Sequence, residues 1–132
     1  MNFITGAGGF LQTVIMGYPG MRLHYGGMLM SPVCPEGATY MKIRNFQYLG
    51  NILDFEYWCS ALNNVNSAIQ MYPYKVALTL RASSGSSASP LQWYNTDTNT
   101  YYRVANVNQP IVISTKSKTA GAIPSVYALS SE

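Results

Sequence analysis

Charge is scarce in this sequence. Of its 132 residues 10% are charged, against roughly 25% in an ordinary soluble domain, and eight Lys and Arg set against five Asp and Glu leave a formal charge of +3. The cations Arg22, Lys42, Arg44, Lys75, Arg81, Arg103, Lys116 and Lys118 stand singly. No basic stripe marks a nucleic-acid or anionic-membrane partner, and both are excluded as expected partners. Histidine is nearly missing: His24 is the sole one and has no His, Cys or Asp at ligand spacing, so no metal site is expected. Cysteine is limited to Cys34 and Cys59, with no Cys-x-x-Cys. They read as packing thiols, and they can pair only if the fold brings their Cα atoms within about 7 Å. Cys34 as a nucleophile would need His24 beside it as a base. No Asn-x-Ser/Thr sequon occurs, which disfavours a secreted glycoprotein.

Long apolar runs are missing as well. The uncharged stretch Met1 to Met21 lacks a positive n-region, carries Asn2, Thr5, Gln12 and Thr13, and is broken by five glycines and Pro19. It therefore reads neither as a signal peptide nor as a membrane span, and a cytoplasmic location is expected. What is present is apolar substance: 48% hydrophobic residues exclude a disordered chain, and the length allows one compact domain.

Ala7, Phe10, Leu11, Val14 and Ile15 recur at the spacing of one buried helical face. Thr5 can cap the start, and Gly17-Tyr18-Pro19-Gly20 supplies the stop. Gly6, Gly8 and Gly9 lie in its first turns, each costing roughly 0.5–1 kcal/mol relative to Ala. Close helix packing, or close approach of a ligand to the helix N-terminus, would offset that cost. Nothing before this helix can cover its apolar stripe, so the chain reads as one cut at its N-terminus.

After Gly20 the pattern alternates. Gly26-Gly27 predicts a hairpin between Met21–Tyr25 and Met28–Met30, and Gly50-Asn51 another between Thr39–Tyr48 and Ile52–Trp58, with Leu53, Phe55 and Tyr57 on one face. Lys75–Arg81 alternates as a half-buried edge or face, and Ile111–Thr115 is the last predicted strand. Ser83–Ser89 reads as a loop and Asn95–Thr100 as a polar turn or mobile segment. A run of strands with turn signals predicts a mainly β chain folded as an antiparallel β-sandwich over residues 21–132, preceded by one helix region in residues 1–20.

No complete catalytic set emerges. Asp54 and Glu56 are the only carboxylates close in sequence. Two positions apart on a strand, they point to the same side about 7 Å from one another, whereas a glycosidase pair must flank the scissile bond. They read as a solvated or cross-strand-paired strand face. Gly6-Ala7-Gly8-Gly9 lacks the Lys-Ser/Thr of a phosphate loop and the strand that precedes a dinucleotide fingerprint, so no cofactor is implied. Among the eleven tyrosines, Trp93-Tyr94 and Tyr101-Tyr102 flank the polar 95–100 stretch. Trp93, Tyr94, Tyr101 and Tyr102 are possible sugar-stacking rings, although tyrosines also populate sheet faces for packing.

The stretch Asn2-Phe3-Ile4-Thr5-Gly6-Ala7-Gly8-Gly9-Phe10-Leu11-Gln12, continuing to Val14, Gly17 and Gly20-Met21-Arg22, resembles a motif of glycoside hydrolase family 65, in its acid trehalase-like branch. The resemblance extends through Ser31-Pro32-Val33-Cys34 and Gly50-Asn51-Ile52-Leu53-Asp54-Phe55 and fades after Tyr57. It implies that residues 1–20 are the last helix region of a truncated (α/α)6 barrel, leading into a C-terminal β-sandwich. Members of the family are inverting enzymes whose carboxylates lie upstream of the motif. No catalytic residue carries over, and this chain alone is expected to be inactive. Asn2, Phe3 and Thr5 would line the substrate-pocket wall. Phosphorylases of the family typically carry a histidine near the position of Phe3, so Phe3 points to the hydrolase branch.

The resemblance implies a parent α-glucosidase acting on a carbohydrate partner, the glucosyl-galactosyl-hydroxylysine of collagen or a disaccharide such as trehalose. The alternative is a stand-alone β-sandwich that binds carbohydrate or another protein without enzymatic activity.

Overall fold

The computed structural model describes residues 20–24, 26–35, 37–60, 71–85, 88–115, 118–119 and 125–131. The predicted helix, with its apolar face from Ala7 to Ile15, lies outside them. The described strands are β1 (Arg22–His24), β2 (Gly27–Met30), β3 (Tyr40–Tyr48), β4 (Asn51–Trp58), β5 (Met71–Tyr72), β6 (Lys75–Ser83), β7 (Leu91–Asn95), β8 (Thr100–Val104), β9 (Ile111–Ser114), β10 (Lys118–Thr119) and β11 (Tyr127–Ser131).

Two antiparallel sheets face each other, one ordered β1-β2-β11-β7-β8 and the other β3-β4-β6-β9, with β5 and β10 forming a separate short ribbon. The mainly β, sandwich-type fold is therefore observed. Leu53, Phe55 and Tyr57 from β4 and Trp93, Tyr127 and Leu129 from the opposite sheet are fully or almost fully buried and share one core cluster. Aromatic rings join the layers: Phe55 meets Trp93 edge-on at 6.3 Å, and Trp93 lies 5.5 Å from Tyr127, distances at which ring quadrupoles attract. Trp93 Nε1 and Asn95 Nδ2 are buried without an acceptor among the described residues, each a cost of about 1–3 kcal/mol that the core must offset.

The β1–β2 hairpin forms in the register Arg22 opposite Leu29 and His24 opposite Gly27. The β3–β4 hairpin forms with its turn one residue earlier than predicted. Tyr48 pairs with Asn51, leaving Leu49 and Gly50 as the two-residue loop, both with positive φ (50° and 80°). That is the conformation whose twist matches a hairpin. Leu49 is held in it by Asn51, whose buried amide donates to the carbonyls of Tyr48, Leu49 and Ser89 at 3.3, 3.1 and 2.9 Å.

β6 is more deeply buried than the half-buried edge or face predicted for Lys75–Arg81, with Val76 to Leu80 all buried. It is an inner strand, paired with β4 on one side and β9 on the other. Ala77 and Thr79, on its outward face, are 1% and 7% exposed, because their short side chains lie between longer ones such as Glu56 and Val112 on the flanking strands. β7, β8 and β11 are strands that the pattern did not give. The 96–99 turn between β7 and β8 is tied down: Asn95 Oδ1 accepts from the Asp97 amide at 3.0 Å, and Thr96 and Val126 exchange two hydrogen bonds.

Among the described residues no helix is long and apolar enough to cross a membrane.

Candidate functional site

Strand alternation decides which aromatic rings can meet a ligand. On β7, Leu91, Trp93 and Asn95 point inward and are buried, while Gln92 and Tyr94 point outward and are half-buried. On β8, which pairs Trp93 with Tyr102 and Tyr94 with Tyr101, Tyr102 packs against the core and Tyr101 is 61% exposed. The four rings expected as one sugar-stacking group are thus divided by the sheet. Trp93, 0% exposed, is a core residue and presents no face to solvent. Tyr102 lies 6.4 Å from it on the same inner side.

Tyr94 and Tyr101 remain on the outer face, stacked with centroids 4.4 Å apart and planes 29° from parallel. The Tyr94 hydroxyl donates to Asn99 Oδ1, which fixes that ring. The pair borders a groove of about 270 Å³ whose other lining includes Gly26, Gly27, Leu29, Gln92, Ala128 and Ser130. Gln92, Leu29 and Ser130 were missed by sequence reasoning. The alternation of Leu91-Gln92-Trp93-Tyr94-Asn95 and of Tyr127-Ala128-Leu129-Ser130 carries the signal that could have found two of them.

Asp54 and Glu56 are each engaged by partners of their own. Asp54 is 5% exposed, so it is paired but not solvated. Its carboxylate accepts the Asn45 amide at 2.8 Å and lies 3.8 Å from both Lys42 Nζ and Arg81 Nε. Two bulges make this possible, one in β3 between Ile43 and Phe46 and one opposite Ile52–Leu53 in β6. They bend the flanking strands over the acid. Glu56 accepts a hydrogen bond from the Tyr40 hydroxyl. Partial burial, together with that bond and the negative charge of Glu56, pushes the Tyr40 phenol up to about 12.

Cys34 and Cys59 correct the packing-thiol reading. Their Cα atoms are 5.9 Å apart and the sulfurs are bonded, which removes Cys34 as a nucleophile. The bond pins the crossover between the two sheets to the end of β4, where the Tyr57 hydroxyl also donates to the Val33 carbonyl at 3.1 Å. The backbone of His24 pairs with Gly27. Among the described residues no three His, Cys, Asp or Glu come together as a metal site. Asn2, Phe3 and Thr5 lie outside the described residues.

No protein-family profile matches the chain, and no solved structure matches it. Curated proteins do. The chain is 49% identical over 51 residues to a protein-glucosylgalactosylhydroxylysine glucosidase of Dictyostelium discoideum, a match covering 39% of this chain and 7% of that protein. It is 37% identical over 57 residues to the mouse protein of the same name, covering 43% of the chain and 8% of the relative. The zebrafish protein of that name is 33% identical over 89 residues, or 66% of the chain and 13% of the relative. These matches thus span between 7% and 13% of the relatives' own lengths.

Proposed function

We propose that this chain is the C-terminal β-sandwich region of a larger glycoside hydrolase of the family 65 type, with residues 1–20 forming the last helix region of its barrel. The observation that carries the reading is the 49% identity over 51 residues to a protein named for removing glucose from glucosylgalactosylhydroxylysine. The parent's substrate is then the glucosyl-galactosyl unit on collagen hydroxylysine, with trehalose as the lesser candidate. The acid and the base of an inverting hydrolysis are supplied from upstream. Asp54, held by two cations, and Glu56, held by Tyr40, serve the fold of the sandwich. Asn2, Phe3 and Thr5 line the pocket wall next to the barrel's last helix.

The Cys34–Cys59 bond supports folding in an oxidising compartment rather than the cytoplasm, since such bonds are rare where thiols are kept reduced.

The test is an immunoblot of native material with an antibody against Lys75–Ser89, followed by a glucose-release assay on the purified native polypeptide. The expected outcome is a species several times heavier than 14.5 kDa that releases glucose from glucosyl-galactosyl-hydroxylysine. A native species of 14.5 kDa, or a heavier one that leaves that substrate and trehalose intact, overturns the proposal.

A further inference from the structure

The outer face of the five-stranded sheet carries a shallow groove with a chemistry of its own. One row across the sheet reads Leu29, Ala128, Tyr94, Tyr101 in consecutive register. The neighbouring positions are Ser130 and Gln92, paired directly. Large side chains therefore stand at the sides, Leu29 on β2 and the two tyrosines on β7 and β8, while the middle strand contributes only Ala128 and Ser130. Gly27 lowers the floor further. A Cβ there would lie 2.4 Å from the Leu129 carbonyl oxygen, so that position cannot fill the groove with a side chain while β2 and β11 stay paired.

The lining selects the ligand. It holds the flat body of a stacked tyrosine pair, the primary amide of Gln92 and the hydroxyl of Ser130, and no group that is charged at neutral pH. Arg103, opposite Gln92 on β8, and Arg22, opposite Leu29 on β1, stand on the same face but outside this lining, so the groove itself offers an ion no counter-charge. A pyranose matches every part: its C–H face lies on an aromatic ring, and its hydroxyls both donate and accept, as do the amide and hydroxyls that line the groove. The volume, about 270 Å³, lies just below the range of drug-sized ligand sites, which begins at roughly 300 Å³. That suits one sugar unit with the rest of a glycan leading into solvent.

The contrast with a second groove sharpens the choice. About 250 Å³ between β1 and β3 is bounded by Met21, Leu23, Met28, Phe46 and Tyr48 together with Arg22 and Gln47, a lining that is mostly apolar and includes a cation, so it differs from the uncharged, amide- and hydroxyl-bearing one.

We infer that the groove bordered by Tyr94, Tyr101, Gln92 and Ser130 is a binding site for a neutral hexose, the terminal unit of a glycan. The inference is independent of where hydrolysis takes place in the parent. Binding at a single unit is weak, with Kd on the order of 1–10 mM.

The experiment is a titration of the isotope-labelled 132-residue chain with D-glucose, D-galactose and the glucosyl-galactose disaccharide, followed by amide chemical shifts. Saturable shifts clustered at Gly27, Gln92, Tyr101 and Ser130 are expected with at least one of the three. Tyr101→Ala should weaken that binding about five- to tenfold, the value of one aromatic stacking partner, and Tyr101→Phe should restore it. At 61% exposure Tyr101 is removable without harm to the core, and unchanged shift dispersion in the variant verifies this. No saturation up to roughly 100 mM, or equal binding by Tyr101→Ala, overturns the site. So does loss of binding in the full native polypeptide, which would show that the face is covered by the parent's own chain. Glucose release by that polypeptide is a separate readout: its failure would remove the glycosidase proposal and leave the hexose site standing.

Discussion

Asp54 and Tyr40 show how much a single side chain can decide on a sheet surface. Asp54 sits on the outward face of β4, where it would normally be hydrated, yet it is 5% exposed because two bulges and the long chains of Lys42 and Arg81 close over it. A carboxylate so covered is tolerable only with its partners in place. Nearby, Tyr40 donates to Glu56 and stacks obliquely on Trp58 at 5.2 Å, and Lys75 Nζ lies 4.1 Å above the Trp58 ring. Burial and the neighbouring Glu56 favour the neutral phenol in the folded state, raising it from 10.0 to about 12. The unfolded chain loses that proton first. The Tyr40 contribution to stability is therefore fully present below pH 10 and lost as pH rises towards about 12. Urea midpoints recorded across that interval should fall with pH, and the slope should be shallower in Tyr40→Phe. Burial raises Tyr48 and Tyr127 in the same direction, so some slope remains in the variant.

At the scale of elements, the seam between β2 and β11 is the informative one. β11, near the C-terminus, is the middle strand of its sheet, with β2 on one side and β7 on the other. The approach at Gly27 is close enough that a methyl group would collide with the backbone oxygen of Leu129, whereas at Gly26 a Cβ would meet nothing within 4 Å. Gly27→Ala should destabilise the chain by about 1–3 kcal/mol, the usual cost of forcing volume into a packed site. Gly26→Ala should stay within about 0.5 kcal/mol of the parent sequence. Equilibrium urea unfolding of the two variants checks the contrast, and equal effects would mean that β2 does not lie against β11 in this register.

For the whole molecule the disulfide matters most. Cys34 lies in the crossover that leaves the five-stranded sheet for β3, and Cys59 follows the end of β4, so one covalent bond joins the entry and the exit of a hairpin. With the cysteines 25 positions apart in sequence, chain-entropy reasoning gives a stabilisation of about 3.5 kcal/mol. The Cys34→Ser, Cys59→Ser double variant should lose that amount in urea unfolding while keeping the sheet signature in far-ultraviolet circular dichroism. A non-reducing peptide map of the native protein should contain the linked pair. Recovery of both cysteines as free thiols from native material would return the cytoplasmic reading to favour.

The sequence by itself determined the class of fold and the places where the chain reverses early on: alternation specifies strands whichever partners they find, and glycine pairs specify tight turns through local backbone geometry. The two hairpins near Gly26 and near Gly50 were legible for that reason, each to within one residue of the predicted turn, and so was the inward row of Leu53, Phe55 and Tyr57. The motif from Asn2 to Gln12 likewise pointed to a glycosidase relative without any coordinates. Other features depend on which segments meet, and a one-dimensional pattern does not contain that. β6 became an inner strand because β9 pairs with its free edge, and Asp54 became buried because bulges in two other strands bend towards it. Cys34 and Cys59 became a bond because the crossover returns to the end of β4. The aromatic group separated into Trp93 and Tyr102 in the core and Tyr94 and Tyr101 on the surface once β7 and β8 were paired in register, since adjacent residues on a strand face opposite sides of the sheet.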